Sequence, residues 1–488
     1  MNVLRRRGPA LAVIVEVLLV GCTSASRNGA SDPTSVASSS AVRATTTAPP
    51  SVTTKVPRTA RPYDPILRST IASLNRAWAF WLPDIYDRPY KRLRGGIYAY
   101  RSDSVIPKCG GTRYPYLFIR ENAFYCSEDD LIAWDDEGLF PRLSKAHGDL
   151  LLGVVLAHEW GHAIQERADL TFQLDTITAE QQADCFAGAW LAALDKNIDG
   201  EAALVALRDA NIDRVLSGFV EFRDYVGLDQ RFAGSHGTAF DRIRALQEGF
   251  ESGPKRCRDY EDDQPPLVGF AFRDLKERFR GGNLPFADIF PASIATFSSA
   301  DSSAGRSTVT FVDITGVKKA PPCGRPMRFS GLVGKSVRAC LDGRGSVLYD
   351  RRGLKVWYEK FGDFSVSTVL GLAWSSTSMG VNSVEAAGSV DPIFAGDIVA
   401  TTNAQIIARL QSPEGVQEAD CRTGRWASAL VDFESPADSQ LSPGDLDEAA
   451  QTLLELAANE RKAGLGFSRV SGFRIGLLGG DCLSLNGQ

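Results

Sequence analysis

Hydrophobic positions cluster in a few segments of the chain. Ala10 to Val20 is mostly apolar, broken by Glu16, and follows Arg5, Arg6 and Arg7. Residues 23–61 are almost entirely Ser, Thr, Ala, Pro and Val with a few charges, and cannot bury enough apolar surface to offset their ordering entropy. In Gly148 to Gln165, GDLLLGVVLAHEWGHAIQ, residues Leu151, Val154, Val155 and Leu156 supply a broad apolar surface, which predicts a buried helix. Thr178 and Gln181 have the spacing of a capping box, so a second apolar helix is expected from Thr178 through Leu194. A further helix is expected to begin near Phe240. After the N-terminus no apolar run approaches the length of a membrane span.

The chain has 488 residues, 44% hydrophobic and 23% charged, which suits more than one globular domain. A net charge of −5 gives no sign of nucleic-acid binding. The N-terminal basic and apolar stretches have the layout of a secretory signal. The apolar run closes on Leu19-Val20-Gly21-Cys22, which looks like a bacterial lipobox. In that reading Cys22 carries the lipid, residues 1–22 are the signal peptide, and 23–61 form a flexible tether. The protein would then sit on the outer face of the bacterial cell membrane; an ordinary signal peptide with an adventitious cysteine is the alternative. The remaining eight cysteines are an even number, as expected where disulfides persist.

The chemistry centres on His158-Glu159-Trp160-Gly161-His162. On a helix, residues four apart project from the same face one turn apart, so His158 and His162 can share one Zn²⁺. Glu159 lies at the edge of that face, where it can take a proton from a metal-held water instead of binding the metal. A hydrolytic zinc site needs a third protein ligand and one open position. Glu180 on the next helix supplies a carboxylate, and Asp184, four residues on, can accept a histidine N–H behind it.

The segments GDLLLGVVLAHEWGHAIQ, EQQADCFAGAWLAAL and SHGTAFDRIRALQEGFESG resemble the bacterial neutral zinc metallopeptidase family, which is gluzincin-like and carries HExxH followed by ExxADC. NAFYCSEDDLIAWD looks like the strand segment preceding the catalytic helix in that family. The resemblance covers residues 62 to 258. It implies an α+β, zincin-like domain of helices on a small sheet, one Zn²⁺ held by His158, His162 and Glu180, Glu159 as general base, and a protein or peptide substrate. Glu180-Gln181-Gln182 stands where the family often has Glu-Leu-Gln, a change that spares the ligand. His236, ahead of the Phe240 helix, either donates to the oxyanion of the reaction or bonds local backbone. His147 is expected to cap or pack.

The second half repeats the first with its chemistry removed. GDFSVSTVLGLAWSS from Gly362 aligns without gaps on Gly148 to His162, and puts Leu372, Ala373 and Ser376 where His158, Glu159 and His162 stand. Ala419 to Trp426 matches Ala183 to Trp190, with Val416 in place of Glu180. FSRVSGFRIGLLGGDC from Phe467 echoes FDRIRALQEGFESGPKRC from Phe240. Cys323 precedes Cys340 by the interval that separates Cys109 from Cys126. We therefore expect a metallopeptidase domain over 62–260 and a degenerate domain of the same fold over 265–488. Between them Glu261 to Pro266 is the expected linker, and extra loop or strands are expected around Val381 to Gln405. Repeat symmetry favours the disulfides Cys109–Cys126, Cys185–Cys257, Cys323–Cys340 and Cys421–Cys482. A peptidase is the leading reading; the alternatives are a non-catalytic envelope scaffold, or a zinc hydrolase of peptidoglycan stem peptides.

Overall fold

Gly148 adopts φ 88° and lets the chain turn directly into the helix Asp149–Arg167, whose side chains Leu150, Leu151, Leu152, Val154 and Leu156 are all fully buried. Each such side chain contributes roughly 1.5–3 kcal/mol through burial, which is why this apolar segment forms the centre of the first half. The computed structural model describes residues 54–55, 60–171, 173–194, 202–230, 234–264, 266–303, 308–323, 326–327, 336–341, 345–387, 405–431, 440–460 and 465–483. The signal peptide and Cys22 lie outside these residues, as does most of the expected tether.

The chain divides into two units. Within the smaller, residues 93–140 and the N-terminal segment carry strands β1 (Thr54–Lys55), β2 (Gly96–Tyr100), β3 (Ala123–Cys126) and β4 (Leu131–Asp135) and the short helix α2 (Tyr116–Ile119). The sheet order is β1-β2-β4-β3, with β2 parallel to β1 and β4, and β3 antiparallel to β4. NAFYCSEDDLIAWD is thus an antiparallel hairpin. Thr54–Lys55 falls inside the stretch expected as tether; its backbone instead pairs with Ile97 and Tyr98. Tyr100, Ile106, Ile119, Cys126, Leu131 and Ala133 form a core on this sheet.

In the larger unit the first-half helices are α1 (Asp64–Tyr86), α3 (Leu139–His147, entered from the smaller unit), α4 (Asp149–Arg167), α5 (Thr176–Ala193), α6 (Ala202–Phe219), α7 (Ala239–Ser252) and α8 (Pro254–Arg258). Helix α5 begins two residues earlier than expected, because the Asp175 carboxylate, not Thr178, caps it by accepting from the Thr178 N–H at 2.9 Å. In the expected linker Asp262, Asp263, Gln264 and Pro266 are exposed, while Glu261 at its start accepts from the Tyr86 hydroxyl at 2.6 Å; just beyond it the buried Val268 donates from its backbone to Asp241.

The second half supplies α9 (Leu275–Phe279), α10 (Phe286–Ser303), β5 (Thr310–Asp313), β6 (Pro326–Met327), β7 (Val337–Cys340), β8 (Ser346–Tyr349), α11 (Arg351–Phe361), α12 (Asp363–Ala387), α13 (Pro413–Ser428), α14 (Asp445–Glu460) and α15 (Leu465–Leu477). Strands β5, β8 and β7 repeat the parallel-then-antiparallel arrangement of β2, β4 and β3. A Cβ on Gly188 would lie 1.9 Å from the Leu246 oxygen and one on Gly249 1.8 Å from that of Cys185; Gly424 and Gly476 meet Phe473 and Cys421 at 1.9 and 1.8 Å. Only glycine lets α5 approach α7, and α13 approach α15, so closely. The disulfides are Cys109–Cys126, Cys185–Cys257, Cys323–Cys340 and Cys421–Cys482, the four pairs that repeat symmetry favours. The stretch expected as inserted loop from Val381 is helical through Ala387, and residues 388–404 lie outside the described residues.

The halves meet through reciprocal contacts. Asp447 on α14 accepts the Phe240 N–H at the start of α7 at 2.9 Å, and Asp213 on α6 accepts the Phe467 N–H at the start of α15 at 2.9 Å. Each half thus supplies the anion for a helix N-terminus of the other, as in the isologous interface of a two-fold dimer.

Candidate metal centre

Helix α4 places His158 and His162 on one face, with their Nε2 atoms 3.2 Å apart. Helix α5 crosses against it at Gly161, where a Cβ would stand 2.8 Å from Ala183 Cα. This close approach brings Glu180 in: its Oε2 is 3.3 Å from His158 Nε2 and its Oε1 3.4 Å from His162 Nε2. The three side chains form a cluster that could hold a metal ion. A tetrahedral zinc with bonds of about 2.0–2.2 Å has ligand atoms about 3.3–3.6 Å apart, so the donor set fits. Glu180 Oε2 is buried and has no hydrogen-bond partner among the described residues, an acceptor that a cation would satisfy.

The outward faces of the ligands are already committed. His158 Nδ1 is 2.7 Å from Asp184 Oδ1, which leaves Nε2 as the free donor atom. Asp184 is fully buried and grips Arg242 of α7 through Nε at 2.7 Å and an N–H₂ at 2.9 Å. The same guanidinium donates to the Phe222 carbonyl at 2.8 Å. His162 Nδ1 lies 2.9 Å from Gln165 Oε1, and the Gln165 amide donates to Ala179 and Gln182 on α5. Such outer contacts fix ring orientation and raise ligand basicity.

These contacts set the protonation of the metal-free site. Burial alone would lower His158, but Asp184 and then Glu180 push it up to about 10. Burial alone would raise Glu180, but His236, His162 and His158 hold it well below the usual carboxylate range. Asp184 is likewise held low against its burial, first by Arg242 and then by His158.

Glu159 is 7% exposed and lies beside the ligands, with no hydrogen bond or ion pair to any described residue. His236 comes to the same site from the loop before α7, its Nε2 3.9 Å from Glu180 Oε2 and its Nδ1 3.5 Å from Asp224. Against the cost of its burial, Glu180 and Asp224 raise His236. Asp224 holds the loop by accepting from the Ser235 hydroxyl at 2.6 Å and from the backbone N–H groups of His236 and Gly237 at 2.8 and 2.7 Å. His147 packs away from the ligands, 2.6 Å from Glu221. Sequence reasoning missed Arg242, Asp224 and Gln165. A signal for Arg242 existed: the repeat aligns it with Arg469, and Arg469 grips Asp420 at 2.8 Å as Arg242 grips Asp184.

A sequence profile of the family described as "Putative neutral zinc metallopeptidase" matches residues 10–260. The chain belongs to this family. Membership in the zinc metallopeptidase family implies zinc as the metal. Uncharacterized protein YpfJ of Escherichia coli K12 is 30% identical over 169 residues, 28% of this chain and 53% of that protein. Uncharacterized protein Rv2575 of Mycobacterium tuberculosis H37Rv is 25% identical over 212 residues, 38% of this chain and 68% of that protein. The chain thus spans about half the length of the first of these relatives. No solved structure matches.

Proposed function

We propose that this metallopeptidase family member is a zinc-dependent peptidase working outside the cytoplasm, held to the membrane by lipid on Cys22, with one catalytic site in its first half. The observation that carries the activity is the convergence of His158, His162 and Glu180 on one point, beside a Glu159 with no hydrogen bond or ion pair to any described residue. Bound there, zinc supplies a Lewis acid that polarises a carbonyl and makes water a better nucleophile. Glu159 takes the proton of the attacking water and passes it to the leaving amine. His236, steered through Nδ1 by Asp224, donates from its other nitrogen to the oxyanion that develops on the substrate. Asp184 and Arg242 hold His158 in the tautomer whose Nε2 faces the site.

The second half is read as a degenerate copy that supports or restricts substrate access. It keeps the glycine contacts and the Asp420–Arg469 pair but carries Leu372, Ala373, Ser376 and Val416 at the counterparts of His158, Glu159, His162 and Glu180. What the copy retains is packing, and what it lacks is every ligand and the base.

The test is Glu159→Gln in the purified chain. Zinc content stays at one equivalent, while cleavage of a peptide library falls by about 10²–10⁴-fold, the usual worth of a positioned base. Cleavage at the wild-type rate would overturn the mechanism, and a wild-type chain that takes up no zinc would overturn the site.

A further inference from the structure

The second half contains a different cluster of ionisable groups at a place where the first half is charge-balanced. Asp363 opens α12, while Asp445 and Glu448 lie in the first turn of α14. The three carboxylates each bring an oxygen within 4.8 Å of the others. All are buried, with exposures of 4%, 4% and 6%. Two oxygens are satisfied by backbone: Glu448 Oε2 accepts the Phe364 N–H at 2.8 Å, and Asp445 Oδ2 accepts that of Ser442 at 2.7 Å. Oδ1 of Asp363 and Oδ1 of Asp445 are buried with no hydrogen-bond partner among the described residues.

The nearby cation does not balance this charge. Arg273 is committed to Glu277, to which it donates from Nε at 3.0 Å and from an N–H₂ at 2.6 Å. That pair is neutral and leaves three carboxylates against two helix N-termini, each equivalent to about half a positive charge. Were all three ionised, about two negative charges would remain in a buried place; burial and mutual repulsion instead raise all three carboxyls, so the metal-free cluster holds protons that a bound cation would displace.

The first half shows how the same position is treated when it is balanced. A Cβ on Gly362 would lie 1.9 Å from Glu448 Oε1; a Cβ on its counterpart Gly148 would lie 3.4 Å from an Arg214 nitrogen and 3.4 Å from Asn211 Oδ1. Arg214 and Asn211 thus occupy the places of Glu448 and Asp445, and Asp149 is the counterpart of Asp363. Arg214 Nη1 donates to Asn211 at 3.2 Å. One copy holds one acid, one amide and one guanidinium; the other holds three acids with two orphaned oxygens.

We propose that Asp363, Asp445 and Glu448 bind a hard divalent cation, calcium, which supplies the positive charge that Arg214 supplies in the first half. The donors are all carboxylate oxygens with no nitrogen or sulfur, which suits calcium and disfavours zinc. The site is independent of the peptidase reading: it shares no residue with His158, His162 or Glu180. The cation joins the starts of α12 and α14, and so ties together the core helices of the second half.

The experiment is a Ca²⁺ titration of the zinc-loaded full chain, read by equilibrium dialysis with metal analysis and by thermal unfolding. One Ca²⁺ per chain is expected beyond the zinc, with Tm raised by a few degrees at saturation. Asp445→Asn and Glu448→Gln, which keep the shapes, are each expected to cut Ca²⁺ affinity at least 10-fold. Glu448→Arg, which copies the first half, is expected to make Tm independent of Ca²⁺ while the far-ultraviolet spectrum stays that of the wild type. No Ca²⁺ uptake at millimolar concentration, or uptake that survives both isosteric substitutions, overturns the proposal. Loss of zinc from the first half with Ca²⁺ uptake intact would overturn the peptidase reading and leave this one standing.

Discussion

Arg242→Met separates the two jobs of the Asp184–Arg242 pair, because the second half carries the same pair without a metal ligand. Asp184 is fully buried and, among the described residues, keeps only His158 at 2.7 Å once the guanidinium is removed. Breaking a buried ion pair by removing one partner costs about 3–5 kcal/mol. Asp420 in the second half is also fully buried, and Arg469 holds it at 2.8 Å, so Arg469→Met is expected to cost a similar amount in urea unfolding. The two differ in zinc affinity. Asp184 bonds the ring of a proposed ligand, and loss of such an outer contact typically weakens metal binding about 10–100-fold. Competition with a chromophoric chelator should show that loss for Arg242→Met and none for Arg469→Met. Equal zinc affinity in the two variants would refute the claim that the pair orients His158 and would leave it a packing device only.

The pH dependence of zinc uptake follows from His158. In the metal-free chain Asp184 and Glu180 override burial and hold it charged up to about 10, so at pH 8 zinc must displace a proton. Zinc affinity should therefore rise with pH between 7 and 10, and calorimetry in buffers of different ionisation enthalpy should report close to one proton released. For the metal-free chain the sign is opposite: a raised histidine stabilises below its unfolded value of about 6.5, and that contribution is lost as pH climbs through about 10. The reciprocal caps predict an asymmetry. Asp213→Ala and Asp447→Ala each remove a helix cap, worth about 1 kcal/mol. Asp447 also holds Arg223 at 3.1 Å, next to the Asp224 that fixes the His236 loop, so Asp447→Ala alone should lower peptide turnover. Equal turnover in the two variants would count against that coupling.

Much of the site is legible from local rules. Helical periodicity by itself puts His158 and His162 on one face, and the step of one residue puts Glu159 at its edge. The duplicated pattern of glycine, tryptophan and cysteine is enough to pair all eight cysteines within their own halves. It also shows which copy lacks ligands, because the substitutions at Leu372, Ala373, Ser376 and Val416 are visible as letters.

What the sequence could not decide depends on how helices approach one another. Glu180 reaches the histidines because Gly161 has no Cβ to hold α5 away from α4, and a one-dimensional pattern carries no interhelical distance. Arg242 meets Asp184 across 58 residues of chain, and its role rests on an angle between α5 and α7. The capping residue of α5 was misplaced because Asp175 and Thr178 both carry suitable side-chain oxygens, and only the backbone path shows which one accepts. The acidic cluster is the extreme case: Asp363, Asp445 and Glu448 are unremarkable first-turn acids in the sequence, where such residues complement the helix dipole. Only the packing of α12 against α14 buries all three together, where burial and mutual repulsion raise their carboxyls above the usual range.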